Sequence, residues 1–323
     1  MTHEIDELVA GVQSGDRRML ARAITLVESG RASDLESSIE ILNRLHPTAP
    51  TSSSIRIGIT GVPGVGKSTF LDTFGEHLIE QGLSVAVLAI DPTSTLSGGS
   101  ILADKTRMER LSHNPRAFIR PTPGGLHAGG VARQTRETIA LCEAAGFEAI
   151  LVETIGIGQS EVSVSDMVDT VVLLLLAGAG DELQGIKRGI MELADVMVVH
   201  KADGDNEQPA QSAAAELANV INLLPRRFTG WQPSLGTCSS LTGDGIAEVY
   251  TRVREHRAAI GDEEILSCRS KQNLQGFEDT LRDIVVADFL RDPKVADRLE
   301  AIRAQVLGGL LHPTAAAAQL LAE

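Results

Sequence analysis

Aromatic residues and long apolar runs are scarce in this 323-residue sequence, and each shortage argues against a class of protein. Aromatic residues make up 3% of the chain, with one Trp and one Tyr, so we expect no stacking surface for the bases of a nucleic acid. The longest apolar stretch, 171–177, is far shorter than the roughly 20 residues of a membrane-spanning helix. We therefore predict a protein that binds no nucleic acid and does not enter a membrane.

Basic residues and cysteines are also few. The chain has 29 Lys and Arg against 43 Asp and Glu, a net charge of −14, which disfavours nonspecific attraction to nucleic acid or to an anionic membrane surface. Its cysteines, Cys142, Cys238 and Cys268, are far apart and form no C-x-x-C pair, which is typical of a reducing compartment. The acidic, polar N-terminus has no features of a signal peptide. We expect a cytoplasmic protein that meets a small ligand or another protein.

A glycine-rich segment, Gly61–Thr69, contains the strongest motif in the chain. It reads GVPGVGKST and fits G-x-x-x-x-G-K-[ST], between a short apolar strand (55–59) and a stretch with helical apolar spacing (69–80). Backbone N–H groups of such a loop surround phosphates, the lysine reaches the β- and γ-phosphates, and the hydroxyl after it ligates Mg²⁺. The alternative is a glycine turn without a ligand. We predict that a nucleoside triphosphate contacts Gly61, Val62, Pro63, Gly64, Val65, Gly66, Lys67, Ser68 and Thr69.

Two carboxylates follow predicted strands on the ligand side of the sheet. Asp91 comes directly after the strand 85–90, where it could hold Mg²⁺ or orient a water; the alternative is an Asp that starts a turn before Pro92. Glu153 lies at the end of the apolar part of the strand 149–154 and begins Glu-Thr-Ile-Gly, which resembles the D-x-x-G of GTPases. Its carboxylate would lie near Mg²⁺, and the Gly156 N–H could contact the γ-phosphate. The alternative there is a glycine-rich strand-to-helix connection.

A second glycine-containing stretch, 97–108, is followed by the charged residues Asp104, Lys105 and Arg107. Arg107 could neutralise the charge that develops on the γ-phosphate, as an arginine finger does. A solvated charged helix start would explain these residues equally well.

The residues that would recognise the base follow the last two strands. His200-Lys-Ala-Asp occupies the place of the N/T-K-x-D motif of GTPases, in which the Asp carboxylate accepts hydrogen bonds from guanine N1 and N2. Lys201 would pack along the base, and Asp203 would select guanine over adenine. His200 replaces the usual Asn, although an imidazole can still donate to the base. Backbone N–H groups around Ser239, Ser240 and Leu241 would meet guanine O6.

The chain alternates strand and helix between residues 55 and 260, which predicts an α/β fold with a doubly wound, mostly parallel sheet. We predict strands at 55–59, 85–90, 117–120, 149–154, 170–176, 196–199 and 235–239. We predict a helical extension at 1–54, a P-loop GTPase domain at 55–260 and a helical dimerisation region at 261–323. Ser33 and Glu36 form a capping box that opens the third N-terminal helix, and Pro293 and Pro313 each fit the first turn of a helix. The terminal helices could instead pack on the sheet.

Several long strings resemble the MeaB/ArgK family, the GTPases associated with methylmalonyl-CoA mutase. They are GVPGVGKST, DPTS, GGSILADKTRM, VETIGIGQSE, GDELQGIK and KADGD, which together cover about 55–245. The resemblance implies a homodimeric, Mg²⁺-dependent GTPase that protects and reloads a cobalamin-dependent acyl-CoA mutase. GTP hydrolysis would gate the transfer of adenosylcobalamin and the removal of damaged cofactor.

The resemblance also implies roles for individual residues. Lys67, Asp91, Arg107 and Glu153 would be catalytic, and Ser68, Asp91, Asp104 and Glu153 would hold the metal. Asp181, Gln184 and Lys187 would form a switch that communicates with the mutase, although a polar loop before an exposed helix would also explain them. Two other functions stay open: a P-loop kinase linked to arginine and ornithine transport, and a nickel-metallochaperone GTPase, which would need a His or Cys cluster.

Overall fold

The computed structural model describes residues 2–29, 31–47, 51–91, 108–123, 128–153, 164–178 and 188–322. The strands are β1 Ile55–Gly61, β2 Val85–Asp91, β3 Ala117–Pro123, β4 Ala149–Glu153, β5 Thr170–Leu176, β6 Val196–His200 and β7 Ser234–Thr237. The longer N-terminal and central helices are α1 Thr2–Gln13, α2 Arg17–Val27, α3 Ala32–Leu45, α4 Lys67–Glu80, α5 Glu109–His113 and α6 Ala128–Ala144. They are followed by α7 Arg188–Leu193, α8 Glu207–Ile221, α9 Ile246–Arg291, α10 Pro293–Leu307 and α11 Pro313–Leu321.

The seven strands form one parallel sheet in the order β3-β2-β4-β1-β5-β6-β7. All seven predicted strands are present, and the predicted doubly wound α/β fold is confirmed. Strands β2, β3 and β4 lie on one side of β1, and β5, β6 and β7 follow one another outward on the other side, so the direction in which the chain winds reverses at β1. In sheets of this kind, ligands bind where that direction reverses, outside the carboxyl ends of the strands. Here the reversal is at β1, which lies between β4 and β5.

Both faces of the sheet are covered, which explains why its strands are apolar almost throughout. Along β2, Ala86 and Leu88 join a core with the N-terminal helices and α6, whereas Val85 and Val87 join a core with α4 and the start of α9. Successive side chains of a strand point to opposite faces, so a strand buried on both sides needs apolar residues at every position.

The three N-terminal helices pack on the sheet domain through their apolar stripes. Leu8, Leu20 and Ile24 are buried in the same core as Leu88 and Ile150. The capping box predicted for α3 is wrong, because the helix begins at Ala32 and its N-cap residue makes no side-chain cap. Ser33 therefore lies inside the first turn, where its hydroxyl donates to Asp34 Oδ1 at 3.0 Å.

The chain divides into two compact units, Met1–Asn273 and Leu274–Glu323. The second unit has its own small core of Val295, Ile302, Ala316 and Leu320. Its helices α10 and α11 begin at Pro293 and Pro313, as predicted for prolines in a first helical turn. The boundaries at residues 54 and 260 stay predictions. Among the described residues, no helix is long and apolar enough to cross a membrane.

Buried ion pairs lie on the side of the sheet where the parallel strands begin, here called its amino edge; the side where the strands end is its carboxyl edge. Asp169, directly before β5, receives two hydrogen bonds from Arg269 at 2.8 and 2.6 Å, and both side chains are buried. Burial raises the pKa of Asp169, but the hydrogen bonds and charge of Arg269 outweigh it and leave that pKa lowered. Asp195, before β6, accepts from Arg227 at 2.7 Å. Breaking one such buried pair typically costs about 3–5 kcal/mol. These pairs therefore fasten the loop that contains Arg227 and the part of α9 that contains Arg269 to the sheet of the first unit.

Glu137 on α6 is a carboxyl whose burial makes stability depend on pH. Burial raises its pKa from an ordinary value of 4.5 to about 7, and Arg133, 4.0 Å away, lowers it only in part. Because the unfolded chain ionises this group near pH 4.5, the cost of burying it grows as pH rises to about 7 and is then constant, at about 3 kcal/mol.

We therefore expect Glu137→Gln to raise the free energy of unfolding by about 2 kcal/mol more at pH 8 than at pH 5. Urea unfolding at the two pH values measures this difference. Glu255→Gln, at an exposed helix position, is the matched control and should show no such dependence. Equal gains at both pH values for Glu137→Gln would show that the pKa of this carboxyl is not raised in the folded protein.

Candidate active site

The glycine loop connects β1 to α4 at the centre of the sheet, and two of its glycines are required sterically. Gly61 has φ of 152°, and a Cβ there would lie 2.5 Å from the carbonyl oxygen of Leu174. Gly66, the N-cap of α4, has φ of 98°, and a Cβ there would lie 2.9 Å from the His200 ring. Non-glycine residues rarely adopt such φ values. The backbone of Leu174 beside Gly61 and the ring of His200 beside Gly66 also leave no room for a side chain, so both positions require glycine.

Lys67 and Ser68 are the first residues of α4, where a 14-residue helix presents its N-terminus. Lys67 is buried and its Nζ donates to the carbonyl oxygens of Gly61 and Val62, at 2.9 and 3.4 Å. The ammonium therefore lies inside the loop. Backbone N–H groups and the positive end of the helix dipole favour an anion at this position.

Glu153 and Asp91 end neighbouring strands at the same edge. Glu153 pairs in register with Ala89 of β2, and Asp91 lies two residues further on, at the end of that strand. The Ser68 hydroxyl donates to Glu153 Oε1 at 3.0 Å, so the predicted hydroxyl and carboxylate ligands are adjacent.

A hydroxyl and a carboxylate beside a phosphate loop suit Mg²⁺, which prefers oxygen ligands and usually keeps waters and phosphate oxygens in its shell. The described part of the chain contains no group of three or more His, Cys, Asp or Glu residues that could hold a metal without such a ligand. The donor set therefore fits Mg²⁺ bound together with a nucleotide. Several predicted residues lie outside the described ranges: Asp104, Arg107, Gly156, Asp181, Gln184 and Lys187.

His200 joins the phosphate loop to the loop after β7. Its Nδ1 donates to the Val65 carbonyl oxygen at 2.7 Å, and its Nε2 lies 2.7 Å from Ser240 Oγ. Burial lowers the pKa of His200, and its hydrogen bond to Val65 offsets this only in part. The ring is therefore neutral at pH 7, and because Nδ1 must carry the proton, Nε2 accepts from the serine hydroxyl.

Lys201 and Asp203 follow on the open side of the same loop. Lys201 has φ of 59°, a left-handed conformation that is uncommon for a residue with a side chain, and its Nζ donates to the Gly64 carbonyl oxygen at 2.9 Å. Asn206 Nδ2 donates to the Lys201 carbonyl oxygen at 2.6 Å and helps hold this turn. Residues in strained backbone conformations concentrate at functional sites.

Ser239 holds Asp203 in place. The Ser239 hydroxyl donates to Asp203 Oδ2 and accepts from the N–H groups of Leu241 and Thr242, at 3.1 and 3.2 Å. Ser239 is fully buried, whereas Asp203 is partly exposed. The predicted base-recognition residues of β6 and β7 are thus brought together by one buried hydroxyl.

Two residues that the sequence did not single out are connected to this loop, Thr73 directly and Arg110 through Thr73. Thr73 on α4 donates to the Ser240 carbonyl oxygen at 3.0 Å, and Arg110 on α5 contacts both Thr73 and Asp72. Asp72 and Thr73 are buried despite their polarity. Tertiary packing, and not the spacing of apolar residues along the helix, decides which polar residues are buried. The sequence pattern therefore gave no sign that Asp72 and Thr73 would be buried.

Comparison with known proteins identifies the family. A family model described as methylmalonyl Co-A mutase-associated GTPase MeaB matches residues 20–294. A Mycobacterium tuberculosis protein named as a probable GTPase is 49% identical over 318 residues, which cover 98% of this chain and 94% of the relative. The Mus musculus protein named methylmalonic aciduria type A homolog, mitochondrial, is 42% identical over 326 residues, covering 98% of this chain and 79% of the relative.

A solved structure agrees with this assignment. The crystal structure of a LAO/AO transport system kinase superposes with a TM-score of 0.76 at 33% identity, covering 99% of this chain and 97% of the other. The family model spans more than half of this chain. The phosphate loop, the parallel sheet and the loops after β6 and β7 that are predicted to face the base all lie inside the matched range. The chain therefore belongs to the MeaB family of P-loop GTPases.

Proposed function

We propose that this GTPase binds GTP with Mg²⁺ at the carboxyl edge of its sheet and acts as a chaperone for a cobalamin-dependent acyl-CoA mutase. The observation that best supports this nucleotide site is a set of hydrogen bonds among its loops. His200 joins the phosphate loop to Ser240, and Ser239 holds Asp203. The family description and the name of the mouse relative support methylmalonyl-CoA mutase as the client.

In this proposal the phosphates lie in the loop Gly61–Thr69. Lys67, already inside the loop, exchanges its two carbonyl contacts for the β- and γ-phosphates and stabilises the charge of the transition state. Ser68 and Glu153, together with Asp91 and Asp104, would hold Mg²⁺, which neutralises phosphate charge when bound. Arg107 would face the charge that develops on the γ-phosphate, and Gly156 would sense that phosphate.

Guanine would lie against Lys201, with Asp203 accepting hydrogen bonds from N1 and N2. Ser239 occupies one oxygen of the Asp203 carboxylate and so orients it toward the base. Backbone of Ser240 and Leu241 would meet guanine O6. We assign His200 to holding Val65 and Ser240 rather than to the base, because both its ring nitrogens are engaged by the protein.

The nucleotide state would be communicated to the mutase through the segment that contains Asp181, Gln184 and Lys187. GTP hydrolysis would then gate delivery of adenosylcobalamin and removal of damaged cofactor. These residues and the cytoplasmic location stay predictions from the sequence and from the family resemblance.

A homodimer contact through the C-terminal unit is also proposed. Within Leu274–Glu323, apolar side chains recur on α9 with spacings of three and four, at Leu274, Phe277, Leu281 and Ile284. Phe277 and Leu281 are 62% and 47% exposed. This spacing is the pattern of a helix that packs against another helix, and a second copy of the chain would cover the face.

A kinase linked to amino-acid transport is the second candidate, since the superposed crystal structure is that of a protein named as such a kinase. The Lys201-x-Asp203 pair favours guanine and so favours the GTPase. A nickel metallochaperone would need a cluster of His or Cys ligands, and no group of three metal-binding side chains is present in the described ranges. The kinase therefore accounts for Lys201 and Asp203 less well than a GTPase does, and the nickel metallochaperone lacks support from its metal ligands.

Asp203→Asn tests the base site. We expect it to raise the KM for GTP at least tenfold and to improve use of xanthosine triphosphate, because an amide can donate to the xanthine O2 that replaces the guanine amino group. Steady-state hydrolysis of both nucleotides measures the change. Asp205→Asn, two residues away and exposed, is the matched control. An unchanged preference in Asp203→Asn would remove guanine recognition from this residue.

A reconstituted assay tests the client. We expect purified methylmalonyl-CoA mutase to bind the chain in a pull-down and to accelerate GTP hydrolysis, and Lys67→Ala to abolish the accelerated rate. A cobalamin-dependent enzyme whose substrate is not an acyl-CoA serves as the control partner. Absence of both binding and rate change with the mutase would contradict the proposed chaperone role.

The dimer is tested by light scattering. We expect the wild-type chain to have twice the mass of one chain and Phe277→Asp with Leu281→Asp to have the mass of one, because two carboxylates would be buried in the contact. Leu223→Asp changes a leucine that is 80% exposed in the first unit and should leave the mass unchanged. A monomeric wild type, or a dimeric double variant, would refute this contact.

A further inference from the structure

We propose that Thr73 and Arg110 are positioning residues for the nucleotide: they hold the Ser240 segment against α4 and thereby set the affinity and selectivity for guanine. This inference rests on the base site proposed above. It concerns two side chains that lie outside the glycine loop and outside the loops after β6 and β7.

The first step is the hydroxyl of Thr73. It donates to the Ser240 carbonyl oxygen at 3.0 Å, with the Thr69 carbonyl oxygen at 3.2 Å, and it accepts from Arg110 Nη2 at 2.6 Å. A threonine in a helix commonly bonds the carbonyl four residues earlier, here that of Thr69. The contact with Ser240 crosses to another part of the fold, and it is the shorter of the two.

The second step is the continuation of this contact through Ser240. The Ser240 hydroxyl donates to His200 Nε2 at 2.7 Å, and His200 Nδ1 donates to the Val65 carbonyl oxygen at 2.7 Å. Thr73, Ser240 and His200 are all buried, and such hydrogen bonds are stronger there than in water. One continuous path therefore joins Arg110, on α5, to Val65 in the phosphate loop.

The third step is the orientation of Arg110. Its Nε donates to Asp72 Oδ2 at 3.2 Å, and the other oxygen of that carboxylate accepts from the Leu111 N–H at 2.9 Å. Asp72 is buried, whereas the Arg110 side chain is 57% exposed. Asp72 thus fixes the start of α5 on α4 and aims the guanidinium at the Thr73 hydroxyl.

The chemical consequence concerns the loop that would face the base. If the Thr73 hydroxyl is removed, the Ser240 carbonyl and the Arg110 guanidinium both lose a partner, and the Ser239–Leu241 segment is no longer fixed to α4. The Lys67 and Ser68 contacts with the phosphates do not involve Thr73. We therefore expect a loss in nucleotide binding and base selectivity, with the chemical step preserved.

Thr73→Val is the test variant, because it keeps the branched shape and removes only the hydroxyl. We expect the KM for GTP to rise at least fivefold, kcat to change less than twofold, and the ratio of kcat/KM for GTP over ATP to fall at least fivefold. Thr73→Ser, which restores a hydroxyl, should return all three values to near the wild type. Thr251→Val is the matched control, since that hydroxyl donates only within its own helix, to Ala247 at 3.0 Å.

Arg110→Gln is the second variant and acts at an exposed side chain, so it tests the path even if Thr73→Val folds poorly. It should raise the KM for GTP in the same direction, and the effects of the two changes should be less than additive, because both act on one hydrogen-bonded unit.

Asp203→Asn, measured in parallel, distinguishes a failure of the positioning role of Thr73 and Arg110 from a failure of the base site itself. If Asp203→Asn shifts the preference but Thr73→Val and Arg110→Gln leave KM and selectivity unchanged, the positioning role is overturned and the base site stands. If Asp203→Asn also has no effect, the base site itself is wrong. A loss confined to kcat, an equal effect of Thr251→Val, or a failure of Thr73→Ser to restore selectivity would each overturn the positioning role.

Discussion

The imidazole of His200 connects the two halves of the nucleotide site, and the geometry of that site depends on it. The phosphate loop follows β1 at the centre of the sheet, while the Ser239–Leu241 segment follows β7 at one edge. His200 spans the gap between them with one donated and one accepted hydrogen bond. A neutral imidazole offers the same pair of functions as an amide, one donor and one acceptor, so histidine can stand where an asparagine is expected. Burial keeps the ring neutral by lowering its pKa, so this donor and acceptor pattern is preserved at neutral pH.

The two edges of the sheet use charge in different ways. At the amino edge, Asp169 and Asp195 are buried and paired with arginines, so their charges are satisfied within the protein. At the carboxyl edge, Glu153 has the Ser68 hydroxyl beside it, and Asp203 is held by Ser239 while remaining partly exposed. The two carboxylates that we propose to meet the nucleotide are thus oriented by hydroxyls rather than neutralised by guanidinium groups. This difference separates the carboxylates that stabilise the fold from those that we propose to act on the nucleotide.

The two compact units differ in how completely they bury their apolar surface. The first unit covers both faces of its sheet with helices. The second has a core of a few side chains and leaves a row of large apolar residues exposed on α9. A small helical unit gains limited stability from so small a core, and a further helix surface would supply the remaining burial. The proposed homodimer would cover these exposed apolar residues of α9.

Local chemistry accounts for what the sequence determined about this protein. Buried parallel strands must be apolar on both faces and a phosphate loop needs glycine at fixed positions, so the seven strands, the motif at Gly61–Thr69 and the family could be identified from residue patterns alone. Helix starts were predicted with mixed success. Pro293 and Pro313 marked the starts of their helices correctly, because the proline ring fixes φ. The capping box predicted at Ser33 was wrong, because a serine near a helix start can form hydrogen bonds with several different partners. Only the tertiary structure decided that His200 bridges two loops, that Ser239 orients Asp203 and that Arg110 is linked to Ser240 through Thr73. These contacts join residues that are far apart in the chain, and the spacing of residues along a sequence carries no record of which distant polar groups will meet.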